Sequence, residues 1–372
     1  MSSTKEALFI NEEMLSKLPG VGDEEVSVEE REMAKQVGRA FFSSLGTKPN
    51  GEYTHDADEI CIPESVGRYR IFSHKMSPNQ PLYRVDDSPE IERKLDCLYN
   101  GEDLEYSMVV ASAASVGAGL NETAVADKPM TESERIVFFL CGGGFASSDT
   151  PLSKWYYLRL SKELGMRLFV SRYNAIPDHV FPRALHDVYS SYNHLLEHSG
   201  FKSKNIVFVA NSAGCNLALG AMQLALMHGR PMPAGCVLVS PLLDLTMAQD
   251  SWRRNQDHCV LPLVPLAEGH CLSRVYFGPT AAAGTDAFVK QLRHPLLSPL
   301  FCDAAGFPPM QVQVGGDEVL LDEAKDFVRR ANKSNVLAEL VVYPQQNHYT
   351  LLRGRSQLDK VYGNTKRFID SL

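Results

Sequence analysis

The sequence predicts an α/β fold with a mostly parallel central sheet flanked by helices on both faces. Two observations carry this. From Arg135 onward, short apolar runs alternate with longer stretches of helical character. The runs are continuous rather than alternating apolar and polar, as strands buried on both faces require.

The strand candidates are Ile136–Leu140, Leu168–Arg172, Ile206–Ala210, Cys236–Ser240, Met310–Val314 and Leu340–Tyr343. Between them, Leu152–Leu164, Pro182–His198 and Ala213–His228 read as helices. Glu59–Ile62 and Tyr69–Phe72 look like paired edge strands. The first 50 residues read as a separate helical segment. Ser27-Val28-Glu29-Glu30 has the form of a capping box, and Met33, Val37, Phe41 and Leu45 follow at helical spacing. That apolar stripe predicts a helix lying over the domain formed by 51–372. Residues 77–134 are polar, poor in periodicity and contain Gly117-Ala118-Gly119, so they read as an insertion or long surface loop.

Composition narrows the function classes. The chain has 372 residues, 44% hydrophobic and 22% charged, with a net charge of −8. Its Lys and Arg are spread without a basic stripe, which argues against nucleic acid as a partner. No run approaches the roughly 18 apolar residues of a membrane span. The N-terminus lacks an apolar segment of signal-peptide length, so a cytoplasmic protein is expected. Eight cysteines stand at irregular spacing with no Cys-x-x-Cys pair, as expected of buried free thiols in a reducing compartment. His258-Cys259 and His270-Cys271 lack ligand spacing, and no metal is expected.

The chemistry gathers at the ends of strands, where open sheets of this kind bind ligands. In Val209-Ala210-Asn211-Ser212-Ala213-Gly214, an apolar run breaks abruptly into a small-residue helix. A serine at such a corner projects from the sheet edge and is available to react. A serine hydroxyl needs a base, and the base needs an acid to fix its tautomer. His348 is the candidate base, because it follows the last strand in Tyr343-Pro344-Gln345-Gln346-Asn347-His348. Asp317, after Gly315-Gly316, is the candidate acid. Asp322 is its rival but falls where a helix should begin, as a cap or solvated face. Cys141-Gly142-Gly143-Gly144-Phe145 follows a strand and offers unshielded backbone N–H groups for an oxyanion. The N–H of Ala213 would complete that set. No Lys-Ser or Lys-Thr follows the glycines, so a phosphate-binding P-loop is not indicated.

These residues resemble the hormone-sensitive-lipase-like family of α/β-hydrolases, known for a His-Gly-Gly-Gly segment and a Gly-Asp-Ser-Ala-Gly-Gly-Asn elbow. The likeness extends to Arg172-Tyr173-Asn174-Ala175-Ile176-Pro177-Asp178, Phe181-Pro182, Asp187, Ser240-Pro241, Ser298-Pro299-Leu300 and Phe307-Pro308-Pro309. It covers about 130–372. It implies a triad of Ser212, Asp317 and His348, and an oxyanion hole of Gly143, Gly144 and Ala213. It also implies a helical cap built from residues 1–50 and about 245–294, in which Phe41, Phe42, Trp252, Leu263 and Tyr276 would line an acyl pocket. The implied reaction is hydrolysis of a small carboxylic ester with an apolar acyl or alcohol part, through an acyl-enzyme and without a cofactor. Acyl transfer or a non-hydrolytic step at the same serine is the alternative, and a ligand-binding protein without turnover is the second. The family often pairs through edge elements, which allows a homodimer. Three positions depart from the family pattern: Cys141 stands for the histidine before the glycines, and Ala210 and Cys215 stand for elbow glycines.

Overall fold

The computed structural model describes residues 59–61, 68–76, 104–111, 135–146, 151–176, 179–197, 201–259, 261, 272–277, 286–353 and 355–372. Nine strands among these form one sheet. They are β1 (Glu59–Cys61), β2 (Arg68–Met76), β3 (Leu104–Ala111), β4 (Ile136–Leu140), β5 (Arg167–Ser171), β6 (Ile206–Asn211), β7 (Gly235–Val239), β8 (Met310–Gly315) and β9 (Ala338–Tyr343). Their order is β1-β2-β3-β5-β4-β6-β7-β8-β9. β5 through β9 pair in parallel, while β1, β2, β3 and β5 pair antiparallel. The helices are α1 (Pro151–Leu164), α2 (Arg183–Glu197), α3 (Ala213–Met227), α4 (Asp250–Arg254), α5 (Leu272–Phe277), α6 (Asp286–Leu292), α7 (Leu321–Lys333), α8 (His348–Arg353) and α9 (Arg355–Ser371).

The continuous apolar runs are explained by two cores. Successive strand side chains face opposite sides. In β4, Ile136, Phe138 and Leu140 join the core beneath α2, α3 and α7. Val137 and Phe139 join the core beneath α1 and α9. β6 divides in the same way, with Ile206, Phe208 and Ala210 on one face and Val207 and Val209 on the other. β8 puts Met310, Val312 and Val314 into the first core, but presents Gln311 and Gln313 to the second side. There Gln313 donates to Gln311 Oε1 at 2.8 Å and accepts from the Tyr343 hydroxyl at 2.5 Å, so its burial leaves no amide unbonded.

Residues 77–134 are not simply an insertion or loop, because β3 lies within them and pairs with β2 and β5 inside the sheet. Its sequence, Leu-Glu-Tyr-Ser-Met-Val-Val-Ala, carries polar residues at 105 and 107. That alternation belongs to antiparallel strands and hides from a search for continuous apolar runs. The expected helical segment at 1–50, with Phe41 and Phe42, lies outside the described residues, as does Leu263.

The strand-to-helix corner after β6 depends on close approach. A Cβ on Gly214 would stand 2.3 Å from the carbonyl oxygen of Leu140 at the end of β4. Gly214→Ala is therefore expected to force β4 and α3 apart and to cost roughly 1–3 kcal/mol. A fall in the urea midpoint measures this, and an unchanged midpoint contradicts the packing described.

Candidate functional site

Ser212 sits between β6 and α3 with φ 52° and ψ −125°. A non-glycine residue at that positive φ is strained by about 1–3 kcal/mol, and the surroundings must impose it. They do so through backbone bonds on both sides. Ser212 N donates to the Val239 carbonyl at 2.9 Å, and Leu242 N donates to the Ser212 carbonyl at 3.2 Å. Ser212 is 8% exposed at the carboxyl edge of the sheet.

His348 begins α8 at the same edge. Its Nδ1 lies 2.7 Å from Glu318 Oε2. The expected partner, Asp317, is not the carboxylate on this ring. The turn after β8 directs Glu318 inward and leaves the Asp317 side chain partly exposed. The Asp317 backbone N–H donates to the Gln346 carbonyl at 3.0 Å. The rival Asp322 lies at the start of α7 and pairs with Arg254 at 2.9 Å.

Glu318 is fully buried. Its Oε1 accepts from the Ser240 hydroxyl at 2.6 Å and from Gly315 N at 2.7 Å. A carboxylate with these donors is ready to accept from His348 Nδ1–H, which leaves Nε2 with its lone pair. The turn that carries it is clamped from the segment after β7. Asn255 donates to the Glu318 carbonyl at 2.7 Å, and the Ser251 hydroxyl donates to the Val319 carbonyl at 2.5 Å. On the other side, Asn347 donates to the His258 carbonyl at 3.1 Å. Cys259 packs here with its thiol pushed up to about 11, first by burial and then by the Glu318 charge, so it stays neutral. Glu318, Ser240 and Asn255 escaped the sequence reading. The adjacent pair Asp317-Glu318 was the available signal, but only the turn decides which of two neighbouring carboxylates points inward.

Across the edge, the loop after β4 has three successive positive φ values: Gly143 at 131°, Gly144 at 60° and Phe145 at 59°. Glycine suits the first two positions because side chains rarely adopt them. Gly143 is exposed and Gly144 half-buried. Ala213 is the first residue of α3, so its N–H is among those without an intrahelical acceptor. Phe145 is buried and stacks on Tyr276 of α5, ring centroids 3.8 Å apart. Tyr276 is thus core, and Trp252 is half-buried against the same core. The departures at the elbow are absorbed by packing. Ala210 and Cys215 are both fully buried in the first core, and burial raises the Cys215 thiol well above its usual range.

Residues 137–352 match the family model described as the alpha/beta hydrolase fold. The chain is 32% identical over 219 residues to an esterase of Acinetobacter venetianus, covering 58% of this chain and 67% of that protein. It is 30% identical over 221 residues to an acetyl-hydrolase of Streptomyces hygroscopicus, covering 59% and 70%. A crystal structure described as hormone-sensitive lipase from a metagenome library superimposes with a TM-score of 0.57 at 27% identity, covering 72% of this chain and 82% of that one.

A second buried acid supports the clamp. Glu323 Oε2 accepts from Leu243 N at 3.0 Å and Asp244 N at 2.6 Å, while Oε1 has no partner among the described residues. Burial, then the charge of Asp244, raises its pKa well above the usual range. The folded state therefore keeps this proton while the unfolded chain loses it above about pH 4.3, so its contribution to stability falls as pH rises from there. Glu323→Gln, which keeps an oxygen for both N–H groups, is expected to flatten that decline. Glu323→Ala is expected to cost roughly 1–3 kcal/mol through the orphaned donors. Denaturant unfolding between pH 4 and 8 reads both, and parallel slopes for parent and Gln variant would contradict the protonated state.

Proposed function

The chain belongs to the alpha/beta-hydrolase-fold family, with the hormone-sensitive-lipase-like esterases, and we propose that it hydrolyses a small carboxylic ester through Ser212, His348 and Glu318. The observation that carries this reading is the 2.7 Å contact between His348 Nδ1 and the buried Glu318 carboxylate, at the same sheet edge as the strained Ser212. The named activities of the esterase and acetyl-hydrolase relatives support the reaction class.

In this reading His348 Nε2 takes the proton of Ser212 Oγ as that oxygen attacks the ester carbonyl. The charge on the carbonyl oxygen is received by the N–H groups of Gly143, Gly144 and Ala213, at the positive end of α3. Glu318 holds the imidazole in the Nδ1–H tautomer and supports the imidazolium as it forms. The C–O bond of the tetrahedral intermediate breaks, His348 gives its proton to the leaving alcohol, and an acyl-serine remains. A water, deprotonated by His348, then attacks the acyl carbon and releases the acid with Ser212 restored. The roles derived are met by side chains and backbone groups of this chain.

Two outcomes are expected. An alkyl fluorophosphonate is expected to add once per chain, and Ser212→Ala to abolish the adduct; an adduct surviving in that variant, by intact mass, would falsify the nucleophile. Glu318→Ala is expected to lower kcat for p-nitrophenyl esters by about 10²- to 10⁴-fold, with Asp317→Ala changing it far less. The reverse ranking would return the acid role to Asp317.

A further inference from the structure

The loop bearing Gly143 and Gly144 begins at Cys141, where no imidazole is present to brace it, and it is held from other elements. The N–H of Gly142 donates to Asn211 Oδ1 at 2.6 Å. A backbone N–H can only donate, so the amide oxygen of Asn211 must be the atom that faces it. The Tyr173 hydroxyl donates to the carbonyl of Cys141 at 3.0 Å. Parallel pairing of β4 with β6, in the register Leu140 to Ala210, brings the start of this loop alongside Asn211. The approach is close: a Cβ on Gly142 would stand 2.6 Å from the Ser212 Cβ and 2.7 Å from the Asn211 carbonyl oxygen. Asn211 is 8% exposed, so water competes poorly for its bond.

We propose that Asn211 is the positioning residue of the oxyanion loop: its side-chain oxygen, by holding the Gly142 N–H, sets where the N–H groups of Gly143 and Gly144 stand relative to Ser212. Tyr173 is the second hold, one residue earlier. The inference rests on the hydrolytic reading above. Its physical basis is that oxyanion donors act only within a narrow range of the developing charge, near 3 Å. The loop's far end is closed by the Ala146 N–H on the Gly143 carbonyl and the Ile176 N–H on the Phe145 carbonyl, both at 3.0 Å, so Asn211 and Tyr173 fix the near end, from which Gly143 and Gly144 extend. The Gly142 N–H, engaged by Asn211, is then not an oxyanion donor. Asn211 acts through Gly142 and does not touch substrate. The demand is for an oxygen acceptor at this position, which aspartate meets and alanine does not.

The test measures kcat and KM for p-nitrophenyl butyrate, and inhibition by an alkyl trifluoromethyl ketone that forms a hemiketal with the serine. The full chain is compared with Asn211→Ala, Asn211→Asp and Tyr173→Phe. Asn211→Ala is expected to lower kcat by about 10- to 100-fold with KM nearly unchanged, and to weaken the ketone by a similar factor. Asn211→Asp is expected to recover most of that loss. Tyr173→Phe, which keeps the ring, is expected to show the same kcat-only pattern at smaller size. The proposal is overturned if Asn211→Ala keeps kcat within twofold of an active parent, if the loss falls in KM, or if a folded Asp variant fails to recover. If Asn211→Ala does not fold, unequal kcat in the Asp and Phe variants decides: Asp near the parent with Phe lowered supports it, and Asp lowered with Phe unchanged overturns it. A parent that turns over no ester and takes no fluorophosphonate removes the hydrolytic reading itself, and this inference with it.

Discussion

Glu318 has no exposure, and both its oxygens are bonded, from three separate elements. Ser240 follows β7, Gly315 ends β8, and His348 heads α8 after β9. One side chain thus ties together three neighbouring strand ends at the carboxyl edge. The arrangement is stringent because removing a donor leaves buried charge uncompensated, at a cost of roughly 3–5 kcal/mol for a broken buried pair. It also dictates the chemistry of the ring. An imidazole whose Nδ1–H is committed to Glu318 presents Nε2 as its only basic atom. Asn255 and Ser251, reaching the Glu318 and Val319 carbonyls, keep the turn from drifting.

The opposite half of the edge is governed by space rather than charge. Gly214 lies against the Leu140 carbonyl, so β4, β6 and α3 meet with no room for a side chain. That contact holds Ser212 at its unfavourable φ, with the Val239 and Leu242 backbone bonds on either side. Cys215 and Ala210 fit because both face the packed core rather than the turn's solvent side. The loop after β4 then rests on the same corner. Ala210 and Cys215 are accommodated by burial in the core, and the start of the loop after β4 is held by the Gly142–Asn211 bond.

The parallel half of the sheet was legible because doubly buried strands must be apolar throughout. β4, β6 and β8 fall within a residue or two of the runs that announced them. β3 was not legible, since its polar residues at 105 and 107 follow the alternation of an antiparallel strand. The corner position of Ser212 and the place of His348 after the last strand were legible in the sequence. Which carboxylate meets the His348 ring was not legible. Asp317 and Glu318 are adjacent carboxylates in one turn, and chain spacing carries no information about which points inward. The clamp by Ser240, Ser251 and Asn255 joins positions 60 to 80 residues apart in sequence. Such contacts follow from tertiary packing and leave no local pattern.

One edge of the sheet carries Ser212, the His348 imidazole on Glu318, and the backbone N–H groups of the loop after β4. The most direct measurement is a crystal structure of the protein after reaction with an alkyl fluorophosphonate. Phosphorus is expected on Ser212 Oγ, with its non-ester oxygen about 2.7–3.1 Å from the nitrogens of Gly143, Gly144 and Ala213. His348 would still rest on Glu318 in that adduct. Phosphorus on another residue, or His348 turned to Asp317, would contradict that arrangement.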